Sequence, residues 1–275
     1  MPTPPLAVTT GSFPPLPTVE SIRLLQSLGL VAIELTLQAD EFYIDLARTV
    51  QYAPLPYLVE QAQAGALRVR SLHAALLGRD QAYSLAARLE YLARTVDLAV
   101  LLGAGQLVVH PSHLFHSYEA ALDFLAGDTP LPAALLPGLE SVFETARQAG
   151  LLLALENIQH WNDEPFFSDA SNMRRFLDAA AGLPISATLD LMHAAYAGGL
   201  NEFFELLPEA ISNLHIADWL PPVRRLPPGQ GVLNWPRLLP ALRALPHLRQ
   251  WTLELANPSE SELLESVEFL NTNRR

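Results

Sequence analysis

Eight short apolar runs of strand length punctuate this chain of 275 residues, and each is followed by a stretch long enough for a helix. The candidate strands lie near residues 6–10, 31–37, 68–73, 106–110, 151–156, 185–190, 212–216 and 250–255. Between the third and fourth, residues 80–102 place Leu85, Leu89, Leu92, Val96 and Val100 three or four apart, the spacing of one buried helix face. Gly103 and Gly105 follow where such a helix would stop. Most of the 23 prolines fall between elements, as in 53–56 and 220–228, and so mark loops. This alternation predicts an α/β protein, and eight repeats favour closure into a (β/α)8 barrel over an open doubly wound sheet. No linker divides the chain, so residues 1–275 are expected to form a single domain.

Charge and composition exclude several classes of function. The formal net charge is -12 and no basic run is present, whereas a nucleic-acid surface needs clustered Lys or Arg. A small molecule is the expected partner. Cysteine is absent, so neither disulfides nor thiolate metal sites are available, and all 17 basic residues are Arg. Without lysine, Schiff-base chemistry is excluded. The N-terminal residues lack the charged and apolar regions of an export signal, and no run is long enough to span a bilayer, so a cytoplasmic location is expected.

Four of the apolar runs end in a polar residue: Glu156 in LLLALEN, Asp190 in ISATLDLMH, His215 in ISNLHIAD and Glu254 in WTLELAN. In a parallel barrel such positions meet at one rim. Three carboxylates and an imidazole there would form the hard, mostly oxygen shell of one divalent cation: Mn²⁺, Co²⁺ or Mg²⁺, with Zn²⁺ also compatible. A carboxylate left unpaired in a run such as that before Glu156 would be costly to bury, and ligation removes the cost. Asp190 is also a natural helix N-cap.

These residues sit in a wider pattern: SLHA around His73, VVHPSH around His110, ALEN, TLDLMHA through His193, LHIADW through Asp218, TLELA, and PPGQGVLNW at 227–235. In order and placement, over nearly the whole chain, the pattern resembles the xylose-isomerase-like TIM barrels. That superfamily holds sugar isomerases and epimerases and also zinc-dependent abasic-site endonucleases. The resemblance implies a substrate contact for His193. In multinuclear zinc relatives the histidines corresponding to His73 and His110 bind a second metal; here they are expected to contact substrate. Glu34, at the end of the second strand, is a candidate for holding a substrate hydroxyl or pairing with an arginine. Arg224, beside Arg225, is a candidate for gripping a hydroxyl or phosphate oxygen. Asp218 is a candidate for orienting a ligand or a neighbouring side chain.

The expected reaction is metal-dependent isomerisation or epimerisation of a sugar, sugar phosphate or inosose-like polyol, with Glu156 and Glu254 moving a proton beside a carbonyl. Dehydration by the same apparatus, abasic-site cleavage and a non-catalytic ligand-binding barrel are the alternatives, and homo-oligomerisation is compatible with all of them. Two features separate the chain from the endonucleases: residues 220–231 contain no histidine, and the overall charge is acidic. Gln230 stands where many members of the superfamily carry an acid, a departure that keeps the binding-protein reading open.

Overall fold

All eight apolar runs become strands, with ends within two residues of those expected. The structure is a computed structural model, and it describes the chain apart from residues 1–2, 14–15, 39–40, 45–49, 76–83, 159–167, 222–223 and 275 and the side chains of 42–44, 50–51 and 224. In chain order the strands are β1 (Leu6–Thr9), β2 (Ala32–Thr36), β3 (Phe42–Ile44), β4 (Val50–Tyr52), β5 (Arg68–His73) and β6 (Gln106–Val109). They continue with β7 (Leu152–Glu156), β8 (Ile185–Asp190), β9 (Ile211–Ile216), β10 (Asp218–Leu220), β11 (Arg224–Leu226) and β12 (Gln250–Leu253). A closed barrel runs β1-β2-β5-β6-β7-β8-β9-β12 and back to β1, with every pairing parallel. All the strands therefore point the same way, and their last residues crowd one rim.

Strand periodicity sorts the side chains. Leu153, Leu155, Leu189, Leu214, Trp251 and Leu253 belong to the buried apolar core. The residues alternating with them include Glu156, Thr188, Asp190, Asn213, His215 and Thr252, and these face the barrel interior. Gln250 of β12 donates to Ser71 of β5 at 2.7 Å although β1 and β2 stand between those strands, a contact that only a path across the interior allows. The helix Leu139–Ala149 ends at Gly150, whose φ of 68° turns the chain straight into β7 and Glu156.

Three features differ from expectation. The helix expected over 80–102 is described over Leu85–Leu101, begun by Ser84 accepting from Ala87 N; residues 80–83 lie outside the described residues. Its Leu92 and Val96 are fully buried, but Leu85 and Val100 are 44% and 41% exposed, so the buried stripe stops short of the helix ends. The two proline-rich stretches are not plain loops. Leu55–Gln63 is a helix with proline in its first turn, where the missing N–H costs nothing, and β10 and β11 form an antiparallel hairpin within 218–226. The pair β3–β4 is a second unexpected hairpin. No helix among the described residues is long and apolar enough to cross a membrane.

Candidate active site

The register of the barrel brings the four strand-end residues together. Glu156 and Asp190 close β7 and β8, His215 pairs with Asp190 across β8 and β9, and Glu254 directly follows β12. Each of the four offers one ligand atom, and these atoms all lie within 4.8 Å of one another. His73, Glu156 and His215 form a second, overlapping group by the same measure. Glu156, Asp190 and His215 are buried, whereas the Glu254 side chain keeps 18% of its surface open.

Glu156 is the hub. Its Oε2 accepts from Nε2 of His73 (3.0 Å) and Nε2 of His110 (2.9 Å), and its Oε1 lies 3.0 Å from Nδ1 of His215. Burial alone would raise its pKa, but His215 and the hydrogen bonds from the histidines hold it well below the usual carboxylate range. His73 also turns Nδ1 to the Ala74 carbonyl at 3.0 Å, so both its nitrogens meet acceptors. Burial opposes its protonation, yet Glu156 and Glu34 raise its pKa. His215 has carboxylates on both edges, and Glu34, Glu156 and Glu254 overcome desolvation to raise its pKa well above the ordinary imidazole value.

Arg225 closes the site from β11. Its Nη1 lies 2.6 Å from Glu254 Oε2 and 2.8 Å from Asp190 Oδ2, and its Nη2 donates to His193 Nε2 at 3.1 Å. Against the effect of burial, Arg225 and His215 bring the Glu254 carboxyl down to about 2. Asp190 divides its work: Oδ1 caps the following helix by accepting from His193 N at 2.8 Å, while buried Oδ2 faces the Arg225 guanidinium at 2.8 Å without an aligned hydrogen bond. That oxygen, together with the carboxylates of Glu156 and Glu254 and the imidazole of His215, suits a divalent cation. Asn157, which sequence reasoning passed over, laces β7 to β8: its Oδ1 accepts from Asp190 N at 2.6 Å and its Nδ2 donates to Asp190 O at 3.0 Å. Its carbonyl also accepts from Nδ1 of His193 at 2.8 Å, which leaves Nε2 facing Arg225. The ALEN motif carried the signal, since a buried amide directly after a ligand must find partners.

Other expected residues fall elsewhere. Glu34 lies in the middle of β2, fully buried beneath the rim, and its neighbours are Ser71, Asn213 and His215 rather than an arginine. His73 and His110 are spent on Glu156. Of the two adjacent arginines it is Arg225 that reaches the site, while the side chain of Arg224 lies outside the described residues. Asp218 accepts from a neighbouring side chain, Trp235 Nε1, and from Trp219 N, Gly229 N and Leu233 N, and so ties the loop over the rim. A Cβ on Gly231 would collide with Asp218 Oδ1 and the Trp219 carbonyl, so glycine is required for this close approach. His113 is structural: Nδ1 accepts from His110 N at 2.9 Å and Nε2 donates to Ala75 O at 3.0 Å. Burial, with help from His110, pushes its pKa down to about 3 and keeps it neutral.

Known proteins share this architecture. A D-tagatose 3-epimerase-like protein superposes with a TM-score of 0.70 at 17% identity, over 98% of this chain and 96% of that one. The TTHB071 protein from Thermus thermophilus, soaked with zinc chloride, gives a TM-score of 0.63 at 23% identity, over 98% and 99% of the two chains. An AP endonuclease of family 2 from Brucella melitensis gives 0.66 at 17% identity, over 99% and 100%. At these identities the likeness is one of fold. No curated protein sequence matches the chain. The model of the xylose isomerase-like TIM barrel family matches residues 22–273, and the chain belongs to that family.

Proposed function

We propose that this protein is a divalent-metal-dependent isomerase or epimerase that moves a proton beside the carbonyl of a sugar, a sugar phosphate or an inosose-like polyol. The observation that carries the reading is the convergence of Glu156, Asp190, His215 and Glu254, from four strands, on one rim. These four would hold the ion. A bound divalent ion would polarise the substrate carbonyl and acidify the neighbouring C–H. Glu156 and Glu254 approach from β7 and β12, and their lowered pKa values keep both ionised at neutral pH, as a proton acceptor must be. One takes the carbon-bound proton; the proton that returns to carbon comes back from that group, now protonated, or from solvent relayed through the other carboxylate. Return to the opposite face of the same carbon gives epimerisation, and return to the adjacent carbon gives isomerisation. Expulsion of a β-hydroxyl would give dehydration.

His193 and Arg225 flank Glu254 and Asp190 and would grip substrate oxygens, with Arg225 fixing direction through its planar fork. A second reading, hydrolysis of abasic DNA with more than one ion, is favoured by the overlapping His73–Glu156–His215 group. The net charge of -12 and the absence of histidine from residues 220–231 weigh against it. The test is a screen of ketoses, inososes and their phosphates with added Mn²⁺, Co²⁺ or Mg²⁺, read by NMR. Conversion of one of them supports the proposal. No turnover of any, together with incision of abasic duplex, would replace it with the second reading.

A further inference from the structure

The barrel interior beneath the rim is polar, and its contacts converge on one buried carboxylate. Gln250 donates to Ser71 Oγ and to Thr252 Oγ1, each at 2.7 Å. Thr252 then donates to Asn213 Oδ1 at 3.1 Å. Ser71 and Asn213 both donate to Glu34 Oε2, at 2.7 and 3.3 Å. The other oxygen, Oε1, lies 2.9 Å from Nε2 of His215, at an angle short of full hydrogen-bond alignment, and neither atom has any other hydrogen-bond partner. Nδ1, on the far edge of that ring, is 3.0 Å from both Glu156 Oε1 and Glu254 Oε2. One edge of His215 thus faces two members of the four-residue set, and the other faces Glu34.

We propose that Glu34 is a positioning residue that keeps the Nε2 proton of His215 turned into the barrel and its Nδ1 turned toward the ion, and that Ser71, Gln250, Thr252 and Asn213 hold Glu34 in turn. The inference rests on His215 being a ligand. A ligating imidazole uses the lone pair of one nitrogen and carries its proton on the other, and an acceptor for that proton fixes both the tautomer and the ring plane. Glu34 is suited to this and to little else. It is wholly buried, so no face is open to substrate. Each of its three polar neighbours presents a donor: the Ser71 hydroxyl, which already accepts from Gln250, the Asn213 amide and the imidazole. A carboxylate accepts from all three, whereas the amide of a glutamine would turn a donor toward at least one of them.

The experiment titrates metal-free wild type and Glu34→Gln with Co²⁺ alone, following the visible spectrum, with Mn²⁺ calorimetry in parallel. Glu34→Gln should bind about 10–100-fold more weakly than wild type and with an altered Co²⁺ spectrum. Unchanged affinity and spectrum would overturn the inference, whether or not the variant melts earlier, and so would a rise in KM with metal binding intact. A wild type that binds no metal would instead overturn the metal reading itself. Should Glu34→Gln fail to fold, wild-type protein with ¹⁵N-labelled histidine and ¹¹³Cd²⁺ decides the matter by NMR. Coupling of the metal to Nδ1 of His215, with Nε2 protonated, is expected; ligation through Nε2 would overturn the inference.

Discussion

Asp218→Asn should loosen the loop that carries Arg225, and the size of the effect follows from the four donors that the carboxylate accepts. Oδ1 takes Trp219 N at 2.9 Å and Leu233 N at 3.0 Å, while Oδ2 takes Gly229 N at 2.9 Å and the indole of Trp235 at 2.7 Å. An amide must turn its NH₂ toward one of these pairs, so two hydrogen bonds become donor against donor. A hydrogen bond to a charged acceptor contributes about 1.5–3 kcal/mol, and a stranded buried donor costs about 1–3 kcal/mol. Movement of the loop into water recovers part of that, leaving a net loss of about 3 kcal/mol. In a domain of this size that is roughly 6–12 °C in Tm, read by circular dichroism on wild type and variant under one buffer. Arg225 lies in β11, which pairs with β10 starting at Asp218, so KM should rise as well while metal stoichiometry stays the same. A variant that melts within about 2 °C of wild type would refute the clasp, because two of the four donors cannot lose their acceptor at so small a cost.

Three further outcomes are expected. Glu156→Gln and Glu254→Gln should each abolish most turnover while retaining some metal, since glutamine keeps a carbonyl oxygen but accepts no proton; turnover of wild type in D₂O should place deuterium beside the carbonyl. Full activity in both variants would remove the carboxylates from the mechanism. In the metal-free protein, the raised pKa values of His215 and His73 add stability that is complete below about pH 6.5 and is lost as pH rises through the folded values. The lowered values of Glu156 and Glu254 add stability that is present above about pH 4.3 and is lost as pH falls through the folded values. Tm of the metal-free form should therefore be highest between these limits and fall on the alkaline side, while the extra Tm conferred by metal should grow with pH because ligation needs Nδ1 of His215 free; a metal effect independent of pH would contradict this. Abasic duplex DNA should show no salt-dependent binding, and tight binding with incision would overturn that expectation.

The barrel and the four strand-end residues were legible because both rest on periodicity: strand-length runs at a steady interval, each ending where a parallel barrel gathers its side chains. Other features depend on contacts that residue types do not announce. Arg224 and Arg225 are chemically identical, and only the β10–β11 hairpin, unforeseen in a proline-rich stretch, turns Arg225 onto Asp190 and Glu254. Three of the four donors to Asp218 are backbone N–H groups, which no side-chain motif encodes. Glu34 reads as a rim residue although the run 31–37 continues past it; two strand residues follow it in β2, which puts the carboxylate a layer down among Ser71, Asn213 and His215. The polar interior of the barrel was hidden inside runs that read as apolar, since Ser, Thr, Asn and Gln alternate there with Leu and Trp.

The most direct measurement is an anomalous-scattering crystal structure of the protein grown with Mn²⁺. One peak is expected, about 2–2.5 Å from an oxygen of Glu156, of Asp190 and of Glu254 and from Nδ1 of His215. No peak, or an ion seated away from these four residues, would contradict the metal site and the reaction built on it.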